Sequence, residues 1–393
     1  MTPEKGKNEK TAAGSADEKR PRPAGKGSKT AEGFRLPSPK RNARYGLACV
    51  TSMGVRITPA GSMQVQGSEW FRMQSTSAET NVLNVSSSLG IPCLALTAFV
   101  AGSPIASFIK SRLRARGIDF TGPDKEQGGP WGYRHQFNIA DTGAGLRAPR
   151  VWNDRSGEVG REISASDYDL RKIFAEDGVS VLHLSGLIAA LSEKTTAACV
   201  GIAEYAKSCG TLLSFDLNYR ASFWKGRESE LREAFERIAG IADILIGNEE
   251  DFQLCLGFDG PETGGNGIAD KIGGFEEMIS HVSEKYPGAS VYATTLRSVI
   301  SAEEHLWGAL VRAGGKWYVE EPRSIRVTDR IGGGDGFAGG LLYAILRGYA
   351  PEDWMKYAWS AGALAASSLN DYAEPADEKQ LLDIYGGNAR VIR

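Results

Sequence analysis

At 393 residues, 41% hydrophobic and 24% charged, the chain has an ordinary globular composition and enough length for one large α/β domain or two smaller ones. Its apolar runs are too short to cross a bilayer, and no charged-then-apolar leader is seen, so neither a membrane partner nor secretion is expected, and the expected location is the cytoplasm. The net charge of −2 hides an asymmetry. Residues 1–44 hold twelve Lys/Arg against five Asp/Glu, about +7, which leaves 34 basic and 43 acidic residues in the body, about −9. An acidic body lacks the basic groove of a nucleic-acid enzyme, so nucleic acid is not an expected partner.

In chain order, residues 1–44 form a Lys-, Gly-, Ser-, Pro- and Ala-rich tail with few large apolar residues. Such a segment buries too little surface to offset its ordering entropy, and a disordered solubilising tail is expected. The alternative is an electrostatic tether to a polyanion. The folded body is expected over 45–393. Its first strand is 45–50, followed by a strand at 93–100 and a helix at 103–117 carrying Ile105, Phe108, Ile109 and Leu113 on one stripe. Further strands are predicted at 179–184, 211–215, 241–246 and 290–295, and helices at 337–346 and 354–369. Short apolar runs alternating with helical patterns predict an α/β chain with a mainly parallel sheet. Residues 131–140 and 150–154 break the alternation as a β excursion, either an edge hairpin or a lid over the strand ends where ligands sit in this architecture. The five cysteines, Cys49, Cys93, Cys199, Cys209 and Cys255, lie in apolar stretches without zinc-ligand or CxxC spacing, and are expected as reduced core residues.

The segment Val327-Thr328-Asp329-Arg330-Ile331-Gly332-Gly333-Gly334-Asp335 precedes a predicted helix. Three glycines at a helix start let backbone N–H groups converge on one point, and the helix N-terminus adds positive potential, so the place suits an anion. Asp335 beside it would repel a phosphate that was merely bound, but a phosphoryl-transfer enzyme can use it to accept the proton of an attacking hydroxyl. The bland reading is a helix cap. Gly334-x-Gly336-x-x-Gly339 also matches a dinucleotide fingerprint, but it lies late in the chain with Asp335 inside it, and no GxxxxGK[ST] segment is present.

Residues 329–335 resemble the D-[ST]-x-G-[AG]-G-D signature of the ribokinase-like (PfkB) carbohydrate kinases, and the chain from Tyr45 onward is most similar to 2-keto-3-deoxygluconate kinases. The resemblance implies a three-layer α/β sandwich with a mainly parallel central sheet and a small β lid within about 54–75 and 130–155. It implies transfer of the γ-phosphoryl group of ATP, with Mg²⁺, to a sugar hydroxyl, here the 6-hydroxyl of 2-keto-3-deoxygluconate. A kinase for fructose or a nucleoside and a non-catalytic sensor on the same scaffold are the alternatives. Asp335 would be the base, and Gly332, Gly333 and Gly334 the anion hole. Arg330, in place of the usual Ser/Thr, would put a cation near the phosphates.

Around this centre, Asp216, Asn218 and Arg220 alternate along an extended segment and can bind hydroxyls and an anion together. The matching family stretch puts Arg220 on the substrate or the transferring phosphate. Asn248, Glu250 and Asp251 supply hard oxygen ligands after a strand, suited to Mg²⁺ held through water and phosphates, or else form an acidic first helical turn. By resemblance Glu79 and Asn81 meet the sugar. The family's Gly-Gly pair is replaced there by Thr76-Ser77, which stiffens the hinge. Tyr133, Arg134 and Arg150, with Arg155, are candidate lid contacts, since a sugar acid needs a planar guanidinium partner. Residues 54–59 resemble the start of the family's sugar-facing region; Arg56 there is read first as a surface residue, and the alternative is contact with a substrate anion. Thr294, Thr295 and Arg297 are expected at nucleotide phosphates, and Ala361 and Gly362 at the adenine slot. A lid strand edge would allow a homodimer.

Overall fold

The computed structural model describes residues 37–262, 267 and 272–390, so most of the expected tail lies outside the described residues. The last of it, 37–44, is tied to the body: Ser180 Oγ donates to the Lys40 carbonyl (2.8 Å), and Arg44 N to Asp177 O (2.9 Å).

The elements run β1 Tyr45–Val50, β2 Gly54–Pro59, β3 Phe71–Thr76, α1 Ala78–Ser88, β4 Cys93–Leu96, β5 Phe99–Val100, α2 Pro104–Ala115, β6 Ile118–Thr121 and β7 Asp124–Lys125. Next come β8 Gln136–Asp141, β9 Arg150–Asp154, β10 Val179–Ser185, α3 Gly186–Ala189, α4 Glu193–Ser208, β11 Leu212–Asp216, α5 Ala221–Trp224, α6 Glu228–Ile241 and β12 Ile244–Ile246. The chain closes with α7 Glu249–Leu256, α8 Ile272–Lys285, β13 Val291–Ser301, β14 Glu304–Ala313, β15 Lys316–Arg326, α9 Gly333–Arg347, α10 Pro351–Ala366 and α11 Glu378–Tyr385.

Nine strands form one sheet in the order β15-β14-β13-β12-β11-β10-β1-β4-β6, parallel from β6 to β13 and antiparallel beyond. Side chains alternate along each strand. In β1, Leu47 and Cys49 therefore enter one core, with α1, α2, α9 and α10, while Ala48 and Val50 enter the other, with α4, α6 and α8. These two cores sandwich the sheet as the expected three layers. Four of the five cysteines are buried in them, and all five are free thiols. The pairs α9 and α10 meet backbone to backbone. A Cβ on Gly340 would lie 2.3 Å from the Tyr357 carbonyl, and one on Gly336 2.6 Å from that of Ala361.

The β excursion is a lid. A second sheet, β3-β2-β8-β9, faces a cavity that it shares with Asp216 and Ile246 at the carboxyl ends of β11 and β12. The strand order reverses beside β1, which pairs with β10 on one side and β4 on the other. Such a switch point opens a crevice at the strand ends, where ligands bind in α/β folds.

Several expected boundaries shift. The run 93–100 is two strands broken at Thr97-Ala98, and 241–246 shortens to β12 because α6 continues through Ile241. Asp243 then turns inward, its carboxylate accepting from Leu213 N and Lys207 Nζ (both 2.7 Å). The hairpin β14–β15 was not expected. It turns on Gly314-Gly315, both at positive φ (57° and 78°), as a tight two-residue hairpin requires.

Candidate active site

A cavity of about 720 Å³ lies between the lid and the strand ends. The glycine-rich segment forms one wall. Gly332 is the N-cap of α9 at φ 87°, and a Cβ there would fall 1.8 Å from the Asp371 carbonyl, so only glycine fits. Gly333 and Gly334 open the helix, whose first-turn N–H groups lack intrahelical acceptors. Gly334 has open space where a side chain would stand.

Asp335 sits in that first turn, half-buried, and accepts a hydrogen bond from Asn81 Nδ2 at 2.9 Å. Burial is the largest cause that pushes its pKa up to about 7, and the carboxylates of Asp371 and Glu79 add to it. The Asn81 bond and Arg220 pull the other way. A carboxylate poised near neutrality and facing a cavity is equipped to take up a proton at physiological pH.

Three further acids share this field. Asp216 is raised well above the usual carboxylate range, by burial first and then by Asp251 and Asp335, with Arg220 opposing. Asp251 is pushed to about 6 by burial, although its oxygens accept from Tyr219 N (2.7 Å) and Asn248 N (2.8 Å). Arg220 is thus the nearby cation that Asp216, Asp251 and Asp335 have in common. Glu79, buried, accepts from Thr51 Oγ1 (2.6 Å) at the end of β1 and from Ser185 at the end of β10. It bridges the two strands flanking the switch point.

Of the residues singled out from sequence, the cavity brings together Glu79, Asn81, Asp216, Asn218, Arg220, Asn248, Glu250, Asp251, Thr295, Arg297, Arg330, Gly332, Gly333, Gly334 and Asp335. Asn248 and Asp251 also close a capping box at the start of α7, so the cap reading holds for both, while Glu250 faces the cavity. Oxygen donors of this kind fit a water-rich Mg²⁺ site; among the described residues no cluster forms an all-protein cage. Arg297 and Arg330 stand close enough that each cation bears on the other: burial lowers the Arg297 pKa first, and Arg330 lowers it further.

Six expected residues do not line the cavity. On β9, Val151 and Asn153 face it, so alternation turns Arg150 to the outer face, where it is exposed. Arg134 is drawn back to Asp154 and to the Ser156 carbonyl (2.6 Å), and Tyr133 packs against the core. Thr294 is fully buried within β13. Ala361 and Gly362 serve helix packing: a Cβ on Gly362 would meet Trp307 at 2.6 Å and the Gly333 carbonyl at 2.9 Å.

Other lining residues were either absent from the sequence reading or, like Arg56, taken first as surface residues. Arg56 is not on the surface; it is 1% exposed and paired with Asp329, also 1% exposed. Asp371 accepts from Gln74 Nε2 (2.9 Å) and from Thr76 of β3, so Thr76, where the family has glycine, is anchored. Gln136 and Asn138 also face the cavity; the polar alternation Gln136-x-Asn138 was the available signal.

A glycine-opened helix N-terminus, a carboxylate poised near neutrality and a polar, lidded crevice at the switch point of an α/β sheet are the elements of a kinase of the ribokinase-like fold. The pfkB family carbohydrate kinase pattern matches residues 162–378, more than half of the chain, and the chain belongs to that family. It is 24% identical over 343 residues to the 2-dehydro-3-deoxygalactonokinase of Haloferax volcanii, covering 86% of this chain and 96% of that one. Against the 2-dehydro-3-deoxygluconokinase of Bacillus subtilis it is 26% identical over 274 residues, covering 69% and 74%. The crystal structure of 2-dehydro-3-deoxygluconokinase from Thermotoga maritima superposes with a TM-score of 0.77 at 24% identity, over 88% of this chain and all of that one. The chain is therefore a carbohydrate kinase, a phosphotransferase with an alcohol group as acceptor.

Proposed function

We propose that the protein transfers the γ-phosphoryl group of ATP to the 6-hydroxyl of 2-keto-3-deoxygluconate. The observation that carries the reading is Asp335: a half-buried carboxylate, poised near pH 7, at the same helix N-terminus that the glycine segment opens. The names of the relatives point to keto-deoxy sugar acids as acceptors.

In this mechanism Asp335 accepts the proton of the attacking hydroxyl, and Asn81 holds the carboxylate in place by its 2.9 Å bond. The N–H groups opening α9 receive charge from the transferring phosphoryl group, with no reorganisation needed during the reaction. Arg220, whose guanidinium bears on Asp335, stabilises that charge, and Arg297, Arg330 and Thr295 hold the nucleotide phosphates. Glu250 and Asn248 would hold Mg²⁺ through water, where it would neutralise the phosphates. Asp216 and Asn218 support the acceptor hydroxyls.

The test is a coupled assay of ADP release with 2-keto-3-deoxygluconate, its galactonate epimer, fructose and adenosine as acceptors. Turnover with a keto-deoxy sugar acid, and little with fructose or adenosine, supports the reading. Preference for a neutral sugar or a nucleoside rejects it.

A further inference from the structure

Of the lid arginines expected to meet a sugar acid, Arg155 lines the cavity but is paired with the buried Glu158 (2.7 Å), while Arg134 and Arg150, with their neighbour Arg147, are committed elsewhere. Arg147 Nη1 forks onto both oxygens of Asp141 (2.7 and 2.6 Å), and its Nη2 donates to the Ser62 carbonyl (2.6 Å). Arg134 is paired with Asp154, and Arg150 lies on the outer face. The cavity face of the lid is built differently. Parallel pairing sets Arg56 of β2 beside Asn138 of β8 and Gly54 beside Gln136, so Arg56, Gln136 and Asn138 share that face.

Arg56 is the unusual member. Its Nη2 is held by Asp329, but its Nε and Nη1 are buried without any hydrogen-bond partner. A buried donor left unpaired keeps its full desolvation penalty, more on a charged group, so two on one guanidinium are rarely kept without use. Beside them the side-chain oxygens of Gln136, Asn138 and Asn81 are also buried and unpartnered. A guanidinium with free donors, set among amide oxygens around one cavity, matches the chemistry of a polyhydroxylic ligand with an acid group.

Asp329 links this subsite to the chemistry. Its other oxygen accepts from Ile331 N at 3.1 Å, one residue before the glycines. Asp371, whose carbonyl backs Gly332, is tied by its side chain to β3 of the same lid. The lid therefore grips the glycine segment at both ends.

We infer that Arg56 is the residue that selects an acidic acceptor: its free Nε–H and Nη1–H meet acid or keto oxygens of the substrate, while Nη2 holds Asp329 at the edge of the anion cradle. The inference rests on the kinase reading above for the identity of the acceptor. It makes Arg56 a specificity residue that also positions the cradle.

Truncating Arg56 alone would strand Asp329, so the test uses the double variant Arg56→Met/Asp329→Asn, with Arg56→Lys as the conservative partner and thermal midpoints to show folding. With 2-keto-3-deoxygluconate and ATP, the double variant should raise KM for the acid roughly 30- to 1,000-fold, the usual effect of removing a buried charged contact. KM for ATP should stay within about threefold, kcat should fall because the cradle loosens, and Arg56→Lys should recover part of the acid affinity. An unchanged KM for the acid in a folded double variant overturns the inference. If the wild type turns over no acid, calorimetric titration of 2-keto-3-deoxygluconate separates the two ideas. Binding by the wild type that is lost in the double variant keeps Arg56 as the acid contact while the kinase reading fails. Equal binding by both, or binding by neither, overturns the inference.

Discussion

Asn81 on α1 donates its Nδ2 to the Oδ2 of Asp335 on α9, at 2.9 Å, across 254 residues of sequence. Asn81 is 2% exposed, and its own side-chain oxygen has no partner. The bond joins the helix that follows the lid strands to the helix that carries the anion cradle, so it fixes where the carboxylate points. It also lowers the Asp335 pKa against burial, which raises it.

Replacing Asn81 by Ala removes that lowering influence. The Asp335 pKa should climb above about 7, and the acid limb of the kcat/KM profile should move to higher pH with it. At pH 7 activity should fall roughly tenfold or more, with partial recovery toward pH 9, since removing a hydrogen bond to a charged group is worth about 1.5–3 kcal/mol. A pH profile of the variant that is lower but unshifted contradicts the assignment.

The raised pKa of Asp335 also sets a stability prediction. Its folded value of about 7 lies above the ordinary 3.8, so folding favours the protonated form. The contribution is present below the unfolded value and is lost as pH rises through the folded one. Asp335→Asn, which cannot ionise, should therefore match the wild type near pH 4 and exceed it by on the order of 1 kcal/mol at pH 8, or about 1–3 °C in Tm. Melting curves of both proteins between pH 4 and 8 check it; a gap that closes with rising pH goes against it.

Gly332 and Gly334 should respond differently to Ala. At Gly332 both the positive φ and the Asp371 carbonyl at 1.8 Å forbid a Cβ, so Gly332→Ala should lower stability by about 2 kcal/mol or more and abolish turnover. Gly334→Ala meets no protein atom within 4 Å and should fold normally. Its methyl group would occupy the approach of the phosphoryl group, so kcat/KM should still fall at least tenfold. Circular-dichroism melts alongside steady-state kinetics separate the two.

The lid arginines give a sharp contrast. Arg150→Ala alters an outer, exposed position and should change KM for any acceptor by less than about twofold, as is usual for surface substitutions. Arg155 lines the cavity, pairs with Glu158 at 2.7 Å and stands over the Phe223 ring. Arg155→Ala leaves the buried Glu158 carboxylate without its cation, held by Ser52 Oγ (2.5 Å), and should cost measurable stability as well as acceptor affinity. Equal KM values for the two variants would contradict the orientation of β9.

Much of this fold was legible because burial leaves period and punctuation in the sequence. The parallel strands read as apolar runs, and the glycine segment before α9 announced an anion site. The hairpin β14–β15 was missed because β15 is a half-exposed edge strand rich in polar residues, although Gly314-Gly315 marked the turn. Within the site, residues contributed by strand ends and helix starts were found: Asp216, Asn248 and Asp335 each follow a readable element. The lid was harder, since which of Arg150 and Val151 faces inward depends on a strand register that only pairing sets. Arg56 was read first as a surface residue, ahead of a substrate-anion contact, because its partner Asp329 lies 273 positions away. Asp371 follows α10 in a segment with no periodicity, so nothing local marks it.

The central claim is that Asp335 is the base of an ATP-dependent sugar-acid kinase. Its most direct test is single-turnover and steady-state kinetics of the wild type and Asp335→Asn with 2-keto-3-deoxygluconate and ATP. The account predicts phosphorylation at the 6-hydroxyl by the wild type and a roughly 10²–10⁴-fold lower kcat in the variant, with KM values changed far less. Near-wild-type turnover by Asp335→Asn would contradict it.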